Sequence, residues 1–252
     1  MFHVVIPARY AASRLPGKPL LTIASRPVIQ WVWDRALASG AASVVVATDD
    51  DRIRGAAVAF GAECVMTDPQ HASGTDRMAQ VVRLRGLAAE AIVVNVQGDE
   101  PMIPPALIAD VAEALRSRPA IDMATAVAPI LSVAEFIDPN CVKALRALDG
   151  RALYFSRAPV PWPRDQVREG HPVAFQGAWR HIGIYAYRVR SLLEFASLQP
   201  TSLELTEKLE QLRALEHGMK IHLVTLPEAP PAGIDTPEDL ERVRAMFGAG
   251  PV

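Results

Sequence analysis

Four short, nearly unbroken apolar runs alternate with stretches of helical periodicity over the first hundred residues, and that alternation leaves the chain few architectures. The runs are Phe2–Ile6, Ser43–Thr48, Cys64–Thr67 and Ala91–Val96, with Val44-Val45-Val46-Ala47 and Ile92-Val93-Val94 the clearest. Between the first two, Val28, Ile29, Val32, Trp33, Ala36 and Leu37 recur at helix spacing. Strands apolar on both faces need helices on both faces, so the expected fold is α/β with a mainly parallel central sheet in three layers. Ligand chemistry in such a sheet gathers at the carboxyl ends of the strands.

The second half changes character. Val142–Leu148 and Ala152–Arg157 are strand-like and joined through Asp149-Gly150, a hairpin signal that makes the sheet mixed. A proline-rich stretch, 158–163, leads into an irregular loop. Beyond it the pattern predicts a strand Ile182–Tyr187, helices near Ser191–Ser197 and Leu203–His217, a last strand Ile221–Leu226 and a final helix after Asp235. At 252 residues the chain fits a single domain, 1–252, with two lobes over one continuous sheet.

Composition excludes several classes. A net charge of −2 offers no broad basic field, so general nucleic-acid binding is not expected. No apolar run approaches the roughly 20 residues that span a bilayer, and the first residues lack a basic n-region and a cleavage site. Cys64 and Cys141 suggest neither a disulfide framework nor a zinc site. A reducing cytoplasm is the default expectation.

Candidate chemistry lies at the predicted strand ends. After the first strand, the loop from Ala8 to Pro19 carries Arg9, Arg14, Gly17 and Lys18, a combination suited to triphosphate oxygens. Its spacing is not that of a Walker loop, and a solvated basic loop remains the alternative. The fourth strand ends in Gln97-Gly98-Asp99-Glu100-Pro101, where Asp99 can ligate a hard divalent cation such as magnesium or can favour the turn toward the next helix. Asp235 precedes Thr236-Pro237-Glu238-Asp239; with Thr236 as N-cap and Asp239 at N3, Asp235 is spare for a metal, or simply favours the positive end of the helix. Ser73, Gly74, Thr75 and Arg77 open a helical run where a nucleotide can meet a helix start, although plain capping by Ser73 or Thr75 is the more economical explanation in isolation and Arg77 reads equally as a surface residue. Arg157, His181, Tyr185, Glu210 and Gln211 supply groups a carboxylated polyol would need; each is open to a structural reading as well.

Taken in order, these motifs resemble the 3-deoxy-manno-octulosonate (Kdo) cytidylyltransferase family, the CMP-Kdo synthetases. The resemblance rests on Ile6-Pro7-Ala8-Arg9-Tyr10, Arg14-Leu15-Pro16-Gly17-Lys18-Pro19-Leu20, Ser73-Gly74-Thr75-Asp76-Arg77 and Asn95-Val96-Gln97-Gly98-Asp99-Glu100-Pro101. It continues through Ala152–Arg157, Arg180–Tyr185, Leu209–Arg213 and Asp235–Leu240. It implies a nucleotide-diphospho-sugar transferase (glycosyltransferase-A-like) fold, with a nucleotide-binding lobe over 1–120 and a sugar-binding and dimerisation lobe over 121–252. It also implies a homodimer that transfers CMP from CTP to the anomeric 2-hydroxyl of Kdo for lipopolysaccharide biosynthesis.

By the same resemblance Arg9, Arg14, Lys18, Asp99 and Asp235 are catalytic, with Mg2+ on Asp99 and Asp235. Ala8, Arg9, Arg14, Lys18, Ser73, Gly74, Thr75, Arg77 and Gln97 bind CTP, while Gln97, Arg157, His181, Tyr185, Glu210 and Gln211 bind the sugar. The chain departs from the family at Cys141, where an aliphatic residue or alanine is common, and the loop 164–178 matches no family pattern. CMP-sialic acid synthetases, whose first loop carries Gly-Gly-Ser-Lys, are disfavoured by Tyr10-Ala11-Ala12-Ser13-Arg14. An 8-amino-Kdo enzyme and a non-catalytic nucleotide-sugar sensor are the remaining alternatives.

Overall fold

The computed structural model describes residues 1–11, 15–164 and 177–248. In chain order the first half runs β1 (Phe2–Ala8), β2 (Thr22–Ile23), β3 (Arg26–Pro27), α1 (Val28–Ala38), β4 (Ser43–Thr48), α2 (Asp51–Ala59), β5 (Glu63–Met66), α3 (Gly74–Leu84), β6 (Ile92–Asn95) and α4 (Pro105–Arg116). The second half runs β7 (Met123–Pro129), α5 (Val133–Ile137), β8 (Lys143–Arg146), β9 (Ala152–Ser156), β10 (Ala178–Arg188), α6 (Val189–Ser197), α7 (Ser202–Glu207), α8 (Gln211–Glu216), β11 (Ile221–Thr225) and α9 (Pro237–Gly248).

The main sheet has the order β11-β7-β10-β6-β1-β4-β5, and the β8–β9 hairpin extends it from β10. β1, β4, β5 and β6 are parallel, as are β7 and β11, while β10 runs antiparallel to both β6 and β7. The sheet is therefore mixed and mainly parallel, as the apolar runs and the Asp149-Gly150 turn predict. Successive side chains of each strand alternate between its two faces. One face packs Val4, Ile6, Val44 and Val94 against α1, α2 and α4; the other packs Val5, Val45, Val93 and Leu223 against α3, α6 and α8. Three layers result.

Two local differences bear on the site. The expected helix Leu203–His217 is two helices, α7 and α8, because Lys208 adopts a left-handed conformation with φ 56° and ends the first. Glu207 explains the break: its carboxylate accepts from Ser156 Oγ at 2.6 Å and from the Arg157 backbone N–H at 2.9 Å, anchoring the end of α7 to β9. The expected strand Ile182–Tyr187 is the middle of a longer one, and its pairing with β7 shifts between Ile182 and Tyr185. A third apolar cluster, Ile23, Val28, Met102, Ile234, Leu240 and Val243, ties α9 back to the first helix, which returns Asp235 to the first strand's end. Both cysteines are free. No helix among the described residues is long and apolar enough to cross a membrane.

Candidate active site

The carboxyl ends of β1 and β6 lie side by side, and Gly98 lets their loops touch. A Cβ on Gly98 would stand 2.9 Å from the Pro7 carbonyl oxygen and 3.2 Å from Ile29 Cδ1, too close to be accommodated without backbone movement. The cleft formed there is lined by Ala8, Arg9, Lys18, Ser73, Gly74, Gln97 and Asp99. Gly17, at φ 70°, turns the first loop into a short 3-10 turn, Lys18–Leu20, that plants Lys18 at the cleft floor.

Lys18 is buried and joins the two carboxylates that the sequence singled out. Its Nζ donates to Asp99 Oδ2, and to Asp235 Oδ1 at 3.1 Å. The Asp99 main chain is held in turn, its carbonyl accepting from the Ile234 N–H at 2.9 Å. Thr236 caps α9 as predicted: its Oγ1 accepts from Asp239 N at 3.2 Å, and the Asp239 carboxylate accepts from Thr236 N at 3.0 Å. The cap does not use the Asp235 carboxylate, which accepts from Lys18. Neighbouring Glu100 sits under Gly233, and burial pushes its carboxyl up to about 8, the charges of Asp99 and Asp235 adding to the effect.

Two carboxylates from separate loops, converging on one cation and bordering an open cleft, are an all-oxygen donor set of the kind a hard divalent ion takes. Among the described residues there is no group of three or more acidic, histidine or cysteine side chains able to hold a metal. A magnesium-type ion takes one or two protein carboxylates and completes its coordination with phosphate oxygens and water. The residues present therefore fit such an ion.

Beside the cleft, Arg9 Nη2 donates to the His71 carbonyl, fastening the first loop to the segment before α3. Ser73 caps α3 in a reciprocal capping box with Asp76. Thr75 Oγ1 donates to Glu210 Oε2 at 2.8 Å, linking the nucleotide side to α8. Arg77 is placed elsewhere. Its side chain is fully buried, donating from Nη2 to Asp49 Oδ2 at 3.0 Å and from Nη1 to Thr67 Oγ1. It does not line the cleft. Arg14 lies outside the described residues, as does most of the loop 164–178.

The sugar-side candidates divide similarly. Arg157 donates from Nε to the Glu207 carbonyl at 2.8 Å and from Nη1 to the Pro139 carbonyl at 2.9 Å, so much of its guanidinium holds loops together. His181, Tyr185, Glu210 and Gln211 come together around β10 and the start of α8. Tyr185 OH lies 3.0 Å from His181 Nε2. Burial raises the Tyr185 phenol well above its ordinary value, with Tyr187 and Glu210 adding, and lowers the His181 imidazole to about 4. Both rings are neutral near pH 7. Glu210 Oε1 and Gln211 Nε2 are buried without a hydrogen-bond partner, a state that native structures rarely leave unexplained and that a bound polar ligand would relieve.

Two residues in this cluster escaped the sequence reading. Asn95, Tyr185 and Thr125 are paired across β6, β10 and β7, so they form one polar row on a sheet face otherwise lined by Val5, Val45 and Leu223. Asn95 Oδ1 is also unpartnered and buried. The available signal was a single polar residue inside each apolar run, Asn95 after Val93-Val94 and Thr125 within Met123–Val127.

Residues 3–221 match the family model described as Cytidylyltransferase. The chain is 56% identical over 248 residues to the 3-deoxy-manno-octulosonate cytidylyltransferase of Pseudomonas syringae pv. syringae (strain B728a), with 98% of each chain covered. It is 52% identical over 248 residues to the enzyme of that name from Vibrio vulnificus (strain CMCP6), again with 98% of each covered. The solved structure of CMP:2-keto-3-deoxy-manno-octonic acid synthetase complexed with CTP matches with a TM-score of 0.89 and 43% identity over 99% of both chains. A nucleotidyl transferase from Methanothermobacter thermautotroptrophicus, 18% identical with a TM-score of 0.61, shares the fold, covering 99% of this chain and 98% of its own. Fold, cleft and relatives together define a nucleotidyltransferase. The chain belongs to the cytidylyltransferase family, among the 3-deoxy-manno-octulosonate cytidylyltransferases that it matches end to end.

Proposed function

We propose that this enzyme transfers CMP from CTP to the anomeric 2-hydroxyl of Kdo, releasing pyrophosphate. The observation that carries the reading is the end-to-end match to enzymes of that name, together with the solved CTP complex at 43% identity. The hydroxyl oxygen attacks the α-phosphorus in line, the bond to the bridging oxygen breaks, and pyrophosphate leaves with the negative charge. Arg9, Arg14 and Lys18 neutralise the triphosphate, and Ala8, Ser73, Gly74, Thr75 and Gln97 border the nucleotide. Asp99 and Asp235 hold Mg2+, which when bound screens phosphate charge and orients the oxygens. Lys18 keeps those two carboxylates close together and ready for the ion.

On the sugar side Gln97, Arg157, His181, Tyr185, Glu210 and Gln211 bind Kdo; Gln211 Nε2 and Glu210 Oε1, both buried without a hydrogen bond, the latter 3.7 Å from Arg213 Nη2, support that role. Arg77 supports the CTP site indirectly, through the start of α3. Residues 1–120 form the nucleotide lobe and 121–252 the sugar lobe. The second lobe exposes Leu131, Val133, Ile137 and Leu153, an apolar surface that a second copy would cover in a homodimer; sedimentation tests this. Free cysteines fit the cytoplasm as the compartment.

Pyrophosphate release with CTP and Mg2+ is measured in parallel with Kdo, 8-amino Kdo and sialic acid. Turnover preferring Kdo is expected. Preference for either of the others reassigns the sugar, and no turnover with any of them overturns the reading.

A further inference from the structure

Thr125 lies at the middle of β7 with no exposed surface, flanked by Ala124 and Ala126. Its hydroxyl faces the irregularity in β10: pairing runs to Ile182↔Ala126 and resumes at Tyr185↔Thr125, so Gly183 and Ile184 form a bulge. Thr125 Oγ1 is 2.7 Å from the Ile184 carbonyl oxygen, 3.1 Å from the Ile182 carbonyl oxygen and 3.0 Å from His181 Nε2. A hydroxyl has one proton, and a carbonyl can only accept. The shortest contact takes that proton, so Thr125 donates to Ile184.

Toward His181 the Thr125 oxygen is then an acceptor, and Nε2 must carry a hydrogen. The imidazole is neutral near pH 7 because burial lowers it to about 4, so a ring protonated at Nε2 is bare at Nδ1. Tyr185 OH, 3.0 Å from the same Nε2, meets an N–H and accepts from it. Its own proton is not spent on Nε2, and Thr125 is the other side chain with which it hydrogen-bonds.

We propose that Thr125 is a positioning residue which, through the β10 bulge, fixes His181 as the Nε2–H tautomer, so that the site offers an imidazole acceptor to a sugar hydroxyl. The placement of the sugar beside His181 and Tyr185 rests on the function proposed above; the tautomer does not. A site with fixed donors and acceptors discriminates by leaving buried groups unpaired when the wrong ligand enters.

The test reads the imidazole nitrogens by long-range proton–nitrogen NMR on the full chain, with the His181 signals identified by their loss in His181→Asn. The wild type and Thr125→Ser are expected to show the Nε2–H pattern, and Thr125→Val a mixture of tautomers. In kinetics Thr125→Val is expected to raise KM for Kdo about tenfold with KM for CTP unchanged, and Thr125→Ser to restore it. An Nδ1–H pattern in the wild type overturns the inference without any variant needing to fold, and so does an unaltered pattern in Thr125→Val. Equal changes in both KM values, or none, overturn the positioning role. If Kdo is not turned over at all, the function reading fails while the wild-type spectrum still decides the tautomer.

Discussion

Lys18 Nζ bridges Asp99 and Asp235, although Asp235 lies 217 positions further along the chain and 3.1 Å away in space. Burial pulls the ammonium's pKa down, but the charges and hydrogen bonds of Asp99 and Asp235 outweigh that and raise it, so the bridge persists at neutral pH. Asp99→Asn and Asp235→Asn are each expected to cut turnover by about 100-fold or more, with circular dichroism unchanged. Thermal unfolding gives a second reading: CTP with Mg2+ raises the wild-type melting temperature, and most of that rise is lost in Asp235→Asn.

Gln211→Leu separates stability from function. Because Gln211 Nε2 is buried without a partner, an apolar side chain of similar size removes a desolvation cost, and unfolding in urea should show a gain of about 1 kcal/mol. The same variant should lose Kdo turnover by at least about tenfold. Reduced stability with intact activity would place Gln211 in the packing and outside the site.

Arg77→Met tests the buried guanidinium. Removing it leaves Asp49 and Thr67 facing an apolar stem, so a loss of about 3 kcal/mol in unfolding free energy is expected. At a temperature where the variant is folded, KM for CTP should rise no more than about threefold. A rise of two orders of magnitude would put Arg77 on the nucleotide.

The neutral His181 gives stability a pH dependence with a definite sign. An unfolded chain protonates this ring below 6.5, whereas the folded ring resists until about 4. Its contribution is therefore full above 6.5, is lost as pH falls toward 4, and is constant below, amounting to roughly 3 kcal/mol at most. Urea unfolding of wild type and His181→Asn at pH 7.5, 5.5 and 4.5 checks it: the difference between them should shrink as pH falls.

Gly233→Ala probes the packing beneath Asp99. The added Cβ would lie 2.7 Å from Glu100 Oε1 and 2.9 Å from the Asp99 carbonyl oxygen, so it displaces the loop bearing the carboxylate. Turnover should fall by about tenfold or more with a lower melting temperature. Normal kinetics would show that the loop yields at no cost to the site.

The layered sheet was legible because its strands are apolar on both faces, and Asp235 was legible because Thr236 and Asp239 complete a capping box without it. The break at Lys208 was not, since it comes from Glu207 reaching Ser156 and Arg157, a tertiary contact that no local periodicity reports. The burial of Arg77 was not legible, because the partners that hold its guanidinium, Asp49 and Thr67, lie in other segments. Thr125 hides for the opposite reason: one small polar residue inside an apolar strand becomes informative only once the bulge across from it is known.

The return of Asp235 to the first strand's end also has a meaning for synthesis. Lys18 and Asp99 leave the ribosome well before the second carboxylate and the helix that anchors it through Ile234, Leu240 and Val243, Asp235 trailing Lys18 by 217 positions. Until then a nascent chain can assemble the nucleotide cleft without the acid pair that completes it. On the function proposed above, catalytic competence would come late in synthesis, and a fragment clipped ahead of residue 235 lacks the second carboxylate.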